Sequence, residues 1–354
     1  MYMNGNRSKK AQISTQFAWI FILIAGAIIL IFFLSLVYKQ KDISETKLSA
    51  TVLTYLDSIL SGATLSSGTS QPIDTSFDLE MNFICDEDGF SRYEIADSSL
   101  GKDTPAEIIF APDTIKGRRI IAWSLDFNAP FKVTNFLYLS DQDIKYVFVN
   151  PAGTFASDII KRMPKDFTSE TIISPAGVTN KGFHKIRLIF FQEDPATIQL
   201  PPHLQDKDLD ISAVKISPTM VTFYRRTENR ENFRQEGSLS YISYPSAFGA
   251  IFSQDYTFYE CNMKKAMKKL SLIAKIHAEK QNSMKLYFES NPTPQECNRL
   301  YHTDTDDALP GLIIQAEQCS ITPKNCINNI RDFNIREILD EQDALIRNSC
   351  PLLY

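Results

Sequence analysis

No stretch of this chain carries a familiar catalytic signature. It has no Gly-x-Ser-x-Gly elbow, no Gly-x-Gly-x-x-Gly turn and no Walker loop, so neither a hydrolase nucleophile nor a phosphate cradle is written in a known form. Histidine is scarce: His184, His203, His277 and His302 stand far apart, without metal-ligand spacing. No cofactor motif is present, and no cofactor is expected. Basic excess is also missing. The net charge is -5, which argues against a nucleic-acid partner. The first 38 residues lack acid altogether; they hold Arg7, Lys9 and Lys10, so the remainder carries -8. After residue 38 there is no Asn-x-Ser/Thr acceptor, because Asn291 is followed by Pro292, and N-glycosylation finds no foothold.

What the chain does have is one long apolar run. Residues 17–38, FAWIFILIAGAIILIFFLSLVY, contain no charge. At about 1.5 Å per helical residue they reach roughly 33 Å, the thickness of a bilayer core. The run is longer than a secretory signal core, and no small-x-small cleavage pattern follows it, so it reads as an uncleaved anchor. Lys and Arg favour the cytoplasmic flank. Arg7, Lys9 and Lys10 precede the run, whereas Lys39 and Lys41 after it are diluted by Asp42 and Glu45. The N-terminus is therefore expected in the cytoplasm and the bulk of the chain outside it. All six cysteines, Cys85, Cys261, Cys297, Cys319, Cys326 and Cys350, follow the run, as an oxidising location allows. Disulfides are expected, and fifteen pairings remain open. Cys319 and Cys326 have no histidine nearby, so zinc is not indicated.

Just ahead of the run stands Lys9-Lys10-Ala11-Gln12-Ile13-Ser14-Thr15-Gln16-Phe17. This segment resembles the class III signal of archaeal type IV pilin-like proteins, in which a basic residue and a small residue precede the cut and the hydrophobic helix follows it. The resemblance covers about 30 residues and implies processing between Ala11 and Gln12 by a membrane aspartic peptidase. It also implies self-association through the long helix. The family commonly carries Glu at the fifth mature position, where this chain has Gln16.

Beyond the run the helical pattern continues. Leu48, Val52, Leu56, Ile59 and Leu60 form one stripe, and residues 39–61 read as a helical stalk. Residues 62–76 are small and polar and read as a linker. Alternation predicts strands over 77–83 and 121–127; apolar runs predict central strands over 144–149 and 186–191, with further strands over 220–224 and 239–244. A helix over 154–163 follows the 144–149 strand, which indicates a βα unit and a partly parallel sheet. Longer helices are expected over 255–282 and 335–348, and residues 285–288 read as a short strand. Cys350, inside an apolar tail, suggests that the C-terminus is pinned.

Three clusters invite a chemical role. Lys264, Lys265, Lys268, Lys269, Lys275 and Lys280 gather on the 255–282 helix; most such runs are solvated faces, although anionic lipid or an acidic partner would fit them. Asp304, Asp306 and Asp307 lack the Gly and distant Glu of a calcium loop. Asp206, Asp208 and Asp210 alternate beside His203 and read as a soluble loop. His277 falls on the apolar side of its helix and reads as a core histidine.

Together these features predict a mixed α/β (α+β) extracytoplasmic domain over 77–354, carried on a transmembrane and stalk helix. The expected function is that of a single-pass surface protein, in its concrete form a pilin-like component of a surface filament. Its partners would be the bilayer, through residues 17–38, and either its own copies or another envelope protein. The alternative is an ecto-enzyme or ligand-binding head on an ordinary anchor, which a polar pocket at the end of strand 144–149 would favour.

Overall fold

A computed structural model describes residues 26–32, 34–35, 54, 57–58, 60–62, 67–86, 89–96, 100–291, 294–303, 308–324 and 326–353. The chain divides into two compact units, residues 1–55 and 56–354. In the first, residues 26–32 and 34–35 are helical, and the side chains from Ile28 to Phe32 are exposed. Ala11, Gln12, Gln16 and most of the 17–38 run lie outside the described residues. Among the described residues no helix is long and apolar enough to cross a membrane.

The second unit is a mixed α+β domain built on two six-stranded sheets. The first sheet contains β1 (Ser70–Cys85), β2 (Ser91–Ile95), β3 (Gly101–Asp103), β4 (Ile108–Phe110), β5 (Thr114–Asn128) and β6 (Lys132–Asp141), in the order β3-β2-β1-β5-β6-β4. All its pairings are antiparallel except β4 with β6. Beside its central β1–β5 pair is the β5–β6 hairpin, where Trp123 lies opposite Tyr138 and Leu125 opposite Phe136. Because side chains alternate across a strand, Ile121, Trp123 and Phe127 share one face and enter the main core with Phe136 and Tyr138. Strand β1 begins at Ser70, inside the stretch that reads as linker. Residues 70–74 pair with β5, so a polar sequence is drawn into the ladder by its neighbour's backbone.

The second sheet contains β7 (Ile144–Val149), β8 (Ser169–Ile172), β9 (Lys185–Phe190), β10 (Asp210–Ile216), β11 (Met220–Arg226) and β12 (Phe233–Ser240). The order is β12-β11-β10-β9-β7-β8; β8, β7, β9 and β10 run parallel, and β11 and β12 antiparallel. Helix α1 (Thr154–Arg162) lies in the crossover from β7 to β8, which realises the expected βα unit. This sheet is covered on both faces. Tyr146, Ile189, Val214 and Phe223 enter the main core, while Val147, Leu188, Ala213 and Tyr224 enter a second core with Leu200 and Leu204. Burial on both faces explains why β7 and β9 read as unbroken apolar runs.

The main core also holds α2 (Tyr244–Phe252), of which seven residues are buried. The helix contacts β4, β5 and β6 of one sheet and β10 and β11 of the other. Gly249 permits this approach, since a Cβ there would lie 2.8 Å from the Phe110 ring. The strand expected over 239–244 therefore ends at Ser240, and Pro245 opens α2 as a first-turn proline can.

Helix α3 (Tyr256–Ser290) is capped by Asp255, whose carboxylate accepts the Phe258 amide at 2.9 Å. It runs through residues 285–288 without a break, so the strand expected there is not formed. Phe288 instead enters a small cluster with Leu300, Tyr301, Leu345 and Leu353, and that tertiary burial outweighs local β-propensity. Among the described residues there follow α4 (Gln295–Thr303), α5 (Ala308–Ile321) and a helical segment from Ile327 that passes through a π turn over Ile330–Asn334 into α6 (Ile335–Arg347).

The six cysteines pair as Cys85–Cys261, Cys297–Cys350 and Cys319–Cys326, with Cα separations of 5.8, 5.5 and 5.6 Å. The first ties β1 to α3. The second pins the C-terminal tail, and Leu353 is fully buried beside it. The end of the expected stalk is also held: Leu60 is buried, and Asp57 pairs with Lys102 of β3.

Candidate functional site

Among the described residues the clusters legible in the sequence do not assemble as groups; only Asp210, the first residue of β10 rather than part of a loop, enters a polar lobe where the two sheets meet. The lysines of α3 do not share one solvated face. Lys265 is buried, Lys269 donates to Thr134 Oγ1 at 3.1 Å, Lys275 pairs with Glu317 at 2.6 Å and Lys280 donates to Leu353 O at 2.8 Å. Asp206 Oδ1 accepts the Asp208 amide at 3.0 Å in a local turn, and His203 Nε2 lies 2.9 Å from Val178 O. Asp304 to Asp307 fall outside the described residues. His277 sits half-buried against Phe131, with ring centroids 4.4 Å apart, and its Nδ1 is 3.1 Å from Leu353 O. Burial holds its pKa below the usual histidine value. Among the described residues no three His, Cys, Asp or Glu side chains are placed to hold a metal ion.

Chemistry gathers instead where the two sheets meet. Lys185 and Asp210 are the first residues of the parallel neighbours β9 and β10, and they lie directly opposite each other. Residues i and i+2 of a strand share a face, so Arg187 stands beside Lys185, and Ser212 beside Asp210, on the side turned from the second core. Arg225 is the partner of Ser212 on β11. The loop before β5 brings Asp113, and the turn between α2 and α3 brings Gln254 and Asp255. These side chains form a polar lobe of about 300 Å³, lined by Asp113, Asp210, Ser212, Arg225, Glu236 and Asp255 among others.

Its charges are shared unevenly. Lys185, only 6% exposed, donates to Asp113 and lies 3.1 Å from Asp210, whose other contact is the Gln254 amide at 2.8 Å. Arg225 Nε stands 2.5 Å from Glu236, and its far nitrogen 4.0 Å from Asp255. Each cation therefore serves two carboxylates. Burial pushes the Glu236 pKa up, against the pull of Arg225. Arg187 is buried on the same face of β9 as Lys185. Its guanidinium donates to Ala250 O at 2.9 Å and Gln254 O at 3.0 Å, satisfying carbonyls at the C-terminal end of α2, where a positive charge also meets the helix dipole favourably. Burial pulls its pKa down to about 10.

An adjoining lobe of about 190 Å³ shares Asp113, Gln254 and Asp255 with the first, and adds Phe83, Ile84, Cys85 and Phe258. The result is one seam cleft, acidic at one end and apolar at the other. It lies at the amino ends of β9 and β10, opposite to the end of β7 where a pocket would have been sought. At the carboxyl end of β7, Asn150 Nδ2 instead donates to Glu193 at 2.7 Å.

Beside the cleft, Asp141 is buried and accepts the amides of Lys116 and Asp143, both at 2.8 Å. Desolvation nevertheless raises its pKa to about 6. His184 Nε2 stands 3.3 Å away, with its own pKa lowered chiefly by burial. None of these residues has a distinctive spacing; Asp113, Asp210, Glu236 and Asp255 are joined only by the fold.

No protein-family model, curated protein or solved structure matches the chain.

Proposed function

We propose that this chain is a single-pass surface protein whose residues 17–38 sit in a membrane and whose head stands outside the cytoplasm, offering the seam cleft as its binding surface. The observation that carries this reading is the pairing of all six cysteines within the head, downstream of an apolar run long enough to span a bilayer. Protease treatment of intact cells tests it. The head is expected to be lost from the outside; a head protected until the cells are lysed would overturn the placement.

The segment from Lys9 to Phe17 supports a more specific version, a pilin-like filament component cut between Ala11 and Gln12. In that version the partners are other copies of the chain or a neighbouring envelope protein. A mature mass lacking residues 1–11 supports it. A full-length mass leaves a ligand-binding or enzymatic head on an ordinary anchor, the reading that the two-lobed cleft favours.

A further inference from the structure

We propose that the seam cleft receives an organic cation, an ammonium group carried on an apolar body. This rests on the reading of the cleft as the head's binding surface and names the chemistry that would occupy it.

The charge pattern gives the first reason. Asp113, Asp210, Glu236 and Asp255 face the polar lobe, against Lys185 and Arg225. The buried Arg187, whose guanidinium donates to the carbonyls of Ala250 and Gln254, offsets one more of these charges and leaves one carboxylate in excess. A bound anion would meet four carboxylates. A neutral ligand would leave their excess uncompensated, whereas a cation meets complementary charge in a partly desolvated recess.

The second reason is independent of the acids. Ser212 is 5% exposed and lines the polar lobe, and its Oγ has no hydrogen-bond partner among the described residues. Buried hydroxyls are ordinarily paired, so a lone one at a cleft marks a position where a ligand atom would complete the bonding. Its neighbours Ile211 and Ala213 pack into the second core, which turns Ser212 toward the cleft. An ammonium group has three donors and no acceptor; carboxylates beside a hydroxyl oxygen match it.

The adjoining lobe supplies the body's site. Phe83, Ile84, Cys85 and Phe258 line it, next to Asp113 and Asp255. An amine seated between the carboxylates would lay its apolar portion there, in the common arrangement of an apolar pocket with a few polar anchors.

Three probes that share one body and differ in the head group, cyclohexylamine, cyclohexanol and cyclohexanecarboxylate, test this on the full-length protein by saturation-transfer NMR and calorimetry. Cyclohexylamine is expected to bind and the carboxylate not. Asp210→Asn with Glu236→Gln should weaken the amine at least tenfold while the thermal transition stays in place, and any probe held by detergent alone would not respond to that variant. If the alcohol or the carboxylate binds as well as the amine, in a manner lost with Ile84→Asp, the cation falls and the cleft remains a binding site. If no probe responds to either variant, both readings fall.

Discussion

Two buried lysines divide the head into a closed region and an open one. Among the described residues Lys265 of α3 forms no ion pair, and the Glu107 carboxylate acts on it only through the longer-range field. Its Nζ donates to Ser91 Oγ and Thr104 O, both at 2.7 Å, and to Glu107 O, bolting the helix to the edge of the first sheet near the Cys85–Cys261 bridge. Neutral oxygens only partly replace water around a charge, and burial lowers its pKa to about 8. Lys185 is hidden to a similar degree, yet it is held by Asp113 and Asp210, both of which reach solvent in the cleft. The difference separates two uses of a buried cation. One closes a seam between elements; the other keeps a cluster of carboxylates gathered at an opening.

Removing the brace of the closed region has the largest expected effect. The Cys85–Cys261 bridge closes a loop of 176 residues in sequence separation, and chain-entropy reasoning assigns it about 5 kcal/mol, against about 2 for the Cys319–Cys326 bridge with its separation of 7. Replacing each pair by alanine should therefore lower the denaturant midpoint much further in the first case. Equal losses would show that the crossing is not specially braced.

A smaller effect should appear with pH. The folded pKa of Lys265 lies below its ordinary 10.5, so above pH 8 the folded chain sheds a proton that the unfolded chain keeps. Stability should rise across that window, by on the order of 3 kcal/mol at most. Tyr93 and Tyr241 are shifted upward by burial and act in the opposite sense above pH 10, so the rise is read between pH 8 and about 9.5. Lys269, whose pKa burial also lowers, adds to the same rise, so thermal melts of the protein and of Lys265→Met should show a clearly smaller rise in the second. An undiminished rise in the variant would assign it to another group.

Least disruptive should be Lys185→Met. Asp113 and Asp210 can rehydrate at the cleft, so the cost is expected to be about 1 kcal/mol or less in a urea titration. The same variant removes a competitor for the carboxylates and should tighten cyclohexylamine binding. A large loss of stability would place Lys185 with Lys265 and erase the distinction.

How much of this could be read from the sequence depended on periodicity. The strands at 121–127, 144–149, 186–191 and 220–224 declared themselves because each buries a face or both, and the α3 pattern because Met263, Met267 and Leu270 repeat on one side. Helix α2 escaped because YPSAFGAIF is apolar nearly all round; a helix touching both sheets has no polar face to betray its period. The lysines of α3 misled for a related reason. Spacing places them on a helix, but only packing shows that Lys265 enters a ring of oxygens. The cleft as a whole was illegible. Asp210 stood out only as one of three alternating acids in a supposed loop, and Asp113, Glu236 and Asp255 come from three further segments where nothing local distinguishes them from acids on any surface. The cysteines stood between these extremes: their number indicated bridges, while the pairing waited on the fold.

The braced crossing and the extracytoplasmic placement both require a head that folds where thiols oxidise. Intact mass of the membrane-purified protein, alkylated without and then with prior reduction, tests that most directly. Three bridges predict no alkylation before reduction and six alkylated cysteines after it, with a gain of about 6 Da on reduction alone, two hydrogens for each disulfide. Six cysteines alkylated without reduction would mean free thiols, and would contradict both the braced crossing and the extracytoplasmic head.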